Sequence, residues 1–199
     1  MQNKVNTLKY KPLSETDIKN FLGGRTRIVK YSQINAVTDI DQLVEPYGNC
    51  VILLETEPEF GHWICLKKNV RPNFTMISFF DSYGGFPDKQ KHYVGKDFLA
   101  ESGQKYNKLC ELLYYCSYNN RYLVEFSHRK FQNIRDPKMA TCGHWCSVFI
   151  KSNLTIKEFN EYIDKYGESN LDNLVVKLYY NMIPKLKKRK MNTEEILND

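Results

Sequence analysis

Residues 50–81 read CVILLETEPEFGHWICLKKNVRPNFTMISFFD and contain three short runs rich in valine, isoleucine, leucine and aromatic residues. The runs cover 50–55, 62–67 and 74–80, and breaks that contain Pro58 and Pro72 separate them. Short runs of such residues between proline-containing breaks are typical of β-strands. The stretch therefore predicts three consecutive strands.

Helical patterns surround these strands. Ser14 and Thr155 each stand three residues before an acidic residue, as in a capping box, which predicts that short helices begin there. A further strand is expected at 122–126, whereas 25–48 and 127–141 show no periodicity and are expected to be irregular. The expected helices cover 15–22, 97–115, 142–151, 156–165 and 171–182. We therefore expect an α/β (α+β) fold with a small mixed central sheet flanked by helices.

Length and composition indicate one domain. The chain has 199 residues and is 42% hydrophobic, which suits one compact core and excludes a disordered chain. We expect a single domain over 1–184 and a basic, flexible C-terminal tail over 185–199. Much of the excess positive charge of the chain lies in this tail, at Lys185, Lys187, Lys188, Arg189 and Lys190.

No apolar run approaches the length needed to cross a bilayer, and the first residues do not resemble a secretory signal. We therefore expect an intracellular protein that is not secreted. Its six cysteines should stay reduced and are too few for a disulfide scaffold, so each is considered singly.

Cys142 has the setting of a nucleophile. We expect Thr141 to cap a helix that begins at Cys142, where the positive end of the helix dipole favours a thiolate. Gly143 next to it would leave the backbone uncovered, so that a substrate carbonyl can approach closely. A nucleophilic cysteine also needs a base.

His62 and Asp81 are the candidate partners of this cysteine. His62 begins the second predicted strand, and Asp81 follows the third. An imidazole can act as base and acid near neutral pH, and a buried carboxylate can hold its tautomer and orientation. Gln132, in the loop before Cys142, can offer an amide N–H to a developing oxyanion.

The order His, Asp, Gln, Cys resembles that of the adenovirus maturation protease (adenain) and of the ubiquitin-like-protein proteases. The similarity is carried by Gly61-His62-Trp63, by Phe79 to Gly84, and by Thr141 to Trp145. It looks closest to the adenain-like proteases of large DNA viruses and virophages, and covers roughly 50–150.

The resemblance implies an adenain-like fold and a cysteine protease that needs no cofactor and holds no metal. His62 would be the base, Asp81 its orienting partner, Cys142 the nucleophile and Gln132 the oxyanion donor. Trp63 and Gly143 would contact the substrate. Gln132 departs from the pattern, because it stands 10 positions before Cys142, farther than is usual in these families.

The resemblance also implies partners and a setting. The substrates would be viral precursor proteins, the enzyme would act in the infected host cell and be packaged in the virion, and an activating peptide would bind. Weak, salt-sensitive DNA binding through the basic tail is a further expectation.

Three alternatives remain open. One is a protease of the same fold that cleaves ubiquitin-like tails, and the second is a nucleic-acid-binding module suggested by the charge. The third is a zinc site, although strand and helix periodicities separate its ligands. Its five candidate ligands would be His62, Cys65, Cys142, His144 and Cys146.

Overall fold

The structure, a computed structural model, describes Val5, residues 7–119 and residues 121–183. Within these residues the centre is a five-stranded mixed sheet whose strands lie in sequence order. The inner three strands are antiparallel neighbours, and each outer strand runs parallel to the strand beside it. The strands are β1 (Arg27–Lys30), β2 (Asn49–Glu57), β3 (Phe60–Arg71), β4 (Phe74–Phe80) and β5 (Leu123–Phe126).

Helices cover both faces of this sheet, so the expected α+β fold is confirmed. The capping boxes at Ser14 and Thr155 are present in the structure. Short 3₁₀ helices occupy Tyr31–Ala36 and Lys89–Tyr93. The α-helices are α1 (Glu15–Phe21), α2 (Asp41–Val44), α3 (Lys96–Glu101), α4 (Lys108–Tyr118), α5 (Cys142–Ser152), α6 (Ile156–Asp164) and α7 (Leu171–Met182).

Two expectations about these elements were wrong. The segment 25–48 is not irregular, because it contains β1, a 3₁₀ helix and α2. The helix expected over 97–115 is two helices, α3 and α4, with Gly103 between them at a φ of 72°. That left-handed conformation favours glycine and ends α3. The basic tail and its boundary at 184/185 lie outside the described residues.

Helix α5 is buried against one face of the sheet. Every residue from Cys142 to Ile150 is buried, because the helix is enclosed between the sheet and α7. Phe149 stacks on Phe80 of β4 with ring centroids 4.6 Å apart. Burying one such side chain contributes about 1.5–3 kcal/mol, so these contacts fix the position of α5 on the sheet.

The opposite face of the sheet packs against α2, α4 and the 3₁₀ helix at Tyr31–Ala36. Tyr31 and Ile34 are buried there, together with Leu109 and Leu113 of α4. No helix of the described residues is both long enough and apolar enough to span a membrane.

The antiparallel pairing of β3 and β4 brings two candidate site residues to one end of the sheet. Cys65 pairs with Phe80, the last residue of β4, so Asp81 lies beside the beginning of β3. His62 also lies near the first residue of β3. Gly61 precedes it where β2 passes closely, since a Cβ on Gly61 would lie 2.0 Å from Leu54 O.

Candidate active site

His62 and Asp81 form a buried hydrogen-bonded pair. His62 Nε2 lies 2.8 Å from Asp81 Oδ1, and the two residues are 5% and 0% exposed. The ring of Tyr83 stacks on the imidazole with centroids 4.0 Å apart. Because the hydrogen bond and the stacked ring restrain the imidazole from two directions, its orientation is set before any ligand binds.

Cys142 is the first residue of α5 and lines the same cleft as His62. The thiol and the imidazole interact, each changing the pKa of the other. His62 Nδ1 is buried without a hydrogen-bond partner among the described residues. It is therefore the ring nitrogen available to the thiol, since Nε2 is occupied by Asp81.

The electrostatics of the pair favour a thiolate and an imidazolium. Burial lowers the pKa of His62, but the charge and hydrogen bond of Asp81, supported by Cys142, outweigh it and raise the pKa from 6.5 to about 10. Burial raises the pKa of Cys142, but interactions with His62 and the N–H groups of Trp63 and Gly143 hold it below 9.0. Both shifts stabilise the charged forms.

Thr141 occupies the N-cap position of α5 as expected, but its side chain does not cap the helix. Its hydroxyl instead donates to Asp172 Oδ1 at 2.5 Å, and no side-chain capping bond forms. Asp172 Oδ2 also accepts the backbone N–H of Asn133 at 3.0 Å. The carboxylate of Asp172 therefore ties the loop that carries Gln132 to the residue before Cys142.

Gly143 is buried, and its close packing gives a further reason for a glycine at this position. A Cβ at this position would lie 3.1 Å from both Leu13 Cβ and Trp63 Cδ1. The glycine thus permits α5 to pack closely on Trp63, whose indole N–H donates to Leu13 O at 3.0 Å. Trp63 lines the cleft, while Gly143 contributes a backbone N–H beside the sulfur.

Gln132 lies in the wall of the cleft, buried and restrained at both ends of its amide. Its Oε1 accepts from Ser82 Oγ at 3.2 Å, and its Nε2 donates to Met139 O at 2.9 Å. An amide nitrogen carries two hydrogens, so one remains for a ligand. The structure therefore brings His62, Asp81, Gln132 and Cys142 together at one site.

The cleft has a volume of about 420 Å³, and large apolar side chains form part of its walls. Phe60, Tyr93 and Ile134 line it and are largely exposed. Apart from the His62–Cys142 pair, its charged side chains among the described residues are Lys89 and Lys130, which make no ion pair there. The cleft is thus apolar and positively charged.

The five residues considered for zinc do not converge. Cys146 donates its S–H to Trp63 O, and buried His144 packs its ring against Tyr179. Among the residues that the structure describes, no group of three or more His, Cys, Asp or Glu side chains could hold a metal ion.

Three residues of the site were missed in the sequence. Tyr83 and Gln90 contact the His62–Asp81 pair, and Asp172 holds the loop. Tyr83 stands in the turn after β4, so its closeness to Asp81 was visible. Gln90 and Asp172 carry no local signal, because their partners are 9 to 39 positions away in the chain.

By its fold and its site, the chain is an α+β protein with a buried carboxylate–imidazole pair that faces a thiol at a helix N-terminus. No family model matches the chain. The chain is 36% identical over 154 residues to Uncharacterized protein V9 of the Sputnik virophage, an alignment that covers 76% of this chain and 83% of the relative. It belongs to the same family as that virophage protein, so the expected relation to virophages is confirmed.

Proposed function

We propose that this protein is a cysteine endopeptidase that cleaves viral precursor proteins. The observation that carries the proposal is the buried imidazole of His62, bonded to Asp81 and facing the thiol of Cys142. The shifts in pKa favour the ion pair, and the thiolate is the reactive form of cysteine. The virophage relative supports a viral setting.

In the acylation step, the Cys142 thiolate attacks the carbonyl carbon of the scissile peptide bond. The carbonyl oxygen takes the negative charge, and His62 Nδ1 gives its proton to the leaving amine as the C–N bond breaks. A thioester on Cys142 and a neutral imidazole remain. Asp81 holds the imidazole through Nε2, which keeps Nδ1 directed to the reacting atoms.

In the deacylation step, His62 Nδ1 takes a proton from a water molecule, whose oxygen attacks the thioester carbonyl. The C–S bond then breaks, the product acid leaves, and the thiolate and imidazolium are restored. The free hydrogen of Gln132 Nε2 and the Gly143 N–H are the donors that we propose for the oxyanion in both steps.

The cleft suits a protein segment rather than a small molecule. Its apolar walls match apolar side chains of an extended chain, and its 7% exposed nucleophile requires that the scissile bond enter the cleft. We propose viral precursor proteins as substrates and the infected cell and virion as the setting. Activation by a peptide and weak DNA binding by the basic tail are further proposals from the resemblance.

The test is hydrolysis of virophage structural proteins by the purified full-length chain. We expect cleavage at defined bonds by the wild type and by Cys110→Ala, which removes an exposed cysteine on α4. Cys142→Ala should lose all activity. In acid-quenched reactions of the wild type, Cys142 should carry an acyl group. Cleavage that persists in Cys142→Ala would contradict the proposal.

A ubiquitin-like protein with a C-terminal extension is assayed beside the viral proteins. Cleavage of that protein alone would support the proposed mechanism but contradict viral precursor proteins as the substrates. The DNA proposal has its own check: removal of residues 185–199 should abolish the salt-sensitive binding of a DNA fragment.

A further inference from the structure

Both oxygens of the fully buried Asp81 carboxylate accept hydrogen bonds. Oδ1 accepts from His62 Nε2 and from the backbone N–H of Tyr83, each at 2.8 Å. Oδ2 accepts from the side-chain amide of Gln90. Gln90 is therefore the donor that satisfies the second oxygen, and it is itself only 7% exposed.

A buried network holds the segment that carries Gln90. Asp88, which precedes the 3₁₀ helix Lys89–Tyr93, has a left-handed φ of 66° and accepts hydrogen bonds from Tyr31 Oη and from Cys110 N. Lys91 donates to Tyr106 O and lies 3.3 Å from Asp88 Oδ1. These bonds anchor the turn to the 3₁₀ helix Tyr31–Ala36 and to α4, so Gln90 reaches Asp81 from a rigid support.

The backbone around Asp81 leaves space for this amide and for little else. Gly85 faces it, and a Cβ on Gly85 would lie 2.3 Å from Gln90 Nε2 and 3.0 Å from Asp81 Oδ2. An alanine at position 85 would thus displace the flexible amide of Gln90 while leaving its chemical identity unchanged.

We propose that Gln90 is a positioning residue of this site: its amide holds Asp81 Oδ2, which keeps Oδ1 directed at His62 Nε2. The inference deepens the proposed function and rests on it. A buried charged oxygen without a donor is costly, so without Gln90 the carboxylate would rotate or take up a proton. In either case it would stabilise the imidazolium less, and Cys142 would hold its thiolate less well.

The experiment measures the iodoacetamide alkylation rate of Cys142 against pH in the full-length chain, with mass spectrometry assigning each cysteine. Gln90→Leu should slow the reaction at neutral pH by about 10-fold, the factor expected for one hydrogen bond to a charged group. Gly85→Ala, which keeps Gln90 but displaces its amide, should slow it by a similar factor.

Gln90→Glu provides a signature that a merely structural role would not give. At neutral pH the new carboxylate faces Asp81, and like charges disfavour the arrangement. At lower pH the two carboxyls share a proton, and the protonated glutamic acid can donate to Oδ2 as the glutamine does. The ratio of variant to wild-type rate should therefore rise as the pH falls.

Gln104→Glu is the matched control. Gln104 is as deeply buried, but it bonds the backbone of Glu55 rather than Asp81. Its substitution should lower stability and leave the pH profile of Cys142 unchanged. If Gln90→Leu and Gly85→Ala fold and give the wild-type pH profile of Cys142, the role of Gln90 is overturned but the proposed function is not. A wild-type Cys142 that reacts only as an ordinary thiol would overturn the proposed function as well.

Discussion

Asp81→Asn isolates the charge of the buried carboxylate. The substitution keeps the volume and leaves an oxygen to accept from His62 Nε2. Gln90 can turn its amide so that its oxygen accepts from the new Asn nitrogen, which leaves no donor facing a donor. The fold should therefore persist, and the change at the site should be electrostatic.

The magnitude follows from the 2.8 Å hydrogen bond between His62 and Asp81. A hydrogen bond to a charged group contributes about 1.5–3 kcal/mol, which corresponds to about 1–2 units of pKa. The pKa of His62, raised to about 10 by Asp81 against the opposing effect of burial, should fall by that amount. The ratio of the thiolate–imidazolium pair to the neutral thiol–imidazole pair should fall by the same factor, roughly 10- to 100-fold.

The assay is the alkylation rate of Cys142 from pH 5 to 9 by iodoacetamide, roughly the range in which a perturbed thiol titrates. The exposed Cys110 of the same chain provides an internal control. Asp41→Asn is the matched variant, because Asp41 pairs with Lys68 and Arg121 away from the cleft. If Asp81→Asn reacts at Cys142 as the wild type does at every pH, the reasoning about this pair is refuted.

Three further predictions concern other parts of the chain. Burial lowers the pKa of His144 from 6.5 to about 4. Between these pH values the unfolded state binds a proton at His144 and the folded state does not, so the free energy of unfolding decreases as the pH falls from 6.5 to about 4. His144→Leu should reduce that loss by up to about 3 kcal/mol, as measured by urea unfolding at neutral and acidic pH. Gly143→Ala should destabilise the fold by about 1–3 kcal/mol, because the new Cβ would contact Trp63 and Leu13. Denaturant unfolding followed by tryptophan fluorescence measures this change, and an unchanged unfolding midpoint would contradict the prediction. Peptides with glutamate near the scissile bond should be cleaved about fivefold faster than lysine analogues at low salt, because Lys89 and Lys130 are unpaired in the cleft. The double variant Lys89→Glu with Lys130→Glu should reverse this preference. Equal cleavage rates for both peptides by the wild type would refute the prediction.

Several elements could be predicted because their signals are local. The strand at 62–67 is confirmed within the longer β3, and the strand at 74–80 has the bounds of β4, since their β-branched and aromatic residues lie between turn-forming breaks. The capping boxes at Ser14 and Thr155 form because both partners lie within one helical turn. Neither inference needed knowledge of distant parts of the chain.

The elements that were missed depend on distant partners. β1 has only four residues, too few for a periodic signal, and it is held by parallel pairing with β2 about 20 positions later. Thr141 was expected to cap α5, but Asp172, 31 positions away, accepts its hydroxyl proton instead. A local pattern cannot indicate whether a hydroxyl oxygen will accept a backbone N–H of its own helix or whether the hydroxyl will donate to a distant carboxylate.

The sequence by itself determined the residue types of the candidate site and their places at element ends. His62 near a strand start, Asp81 after a strand and Cys142 at a helix start all follow from local patterns. Their catalytic roles remain predictions. Only the tertiary structure decided that Asp81 bonds Nε2 of His62, that Gln90 holds the other oxygen, and that Tyr83 covers the ring. These contacts arise from the register of β3 and β4 and from close packing around them, which no short segment of sequence encodes.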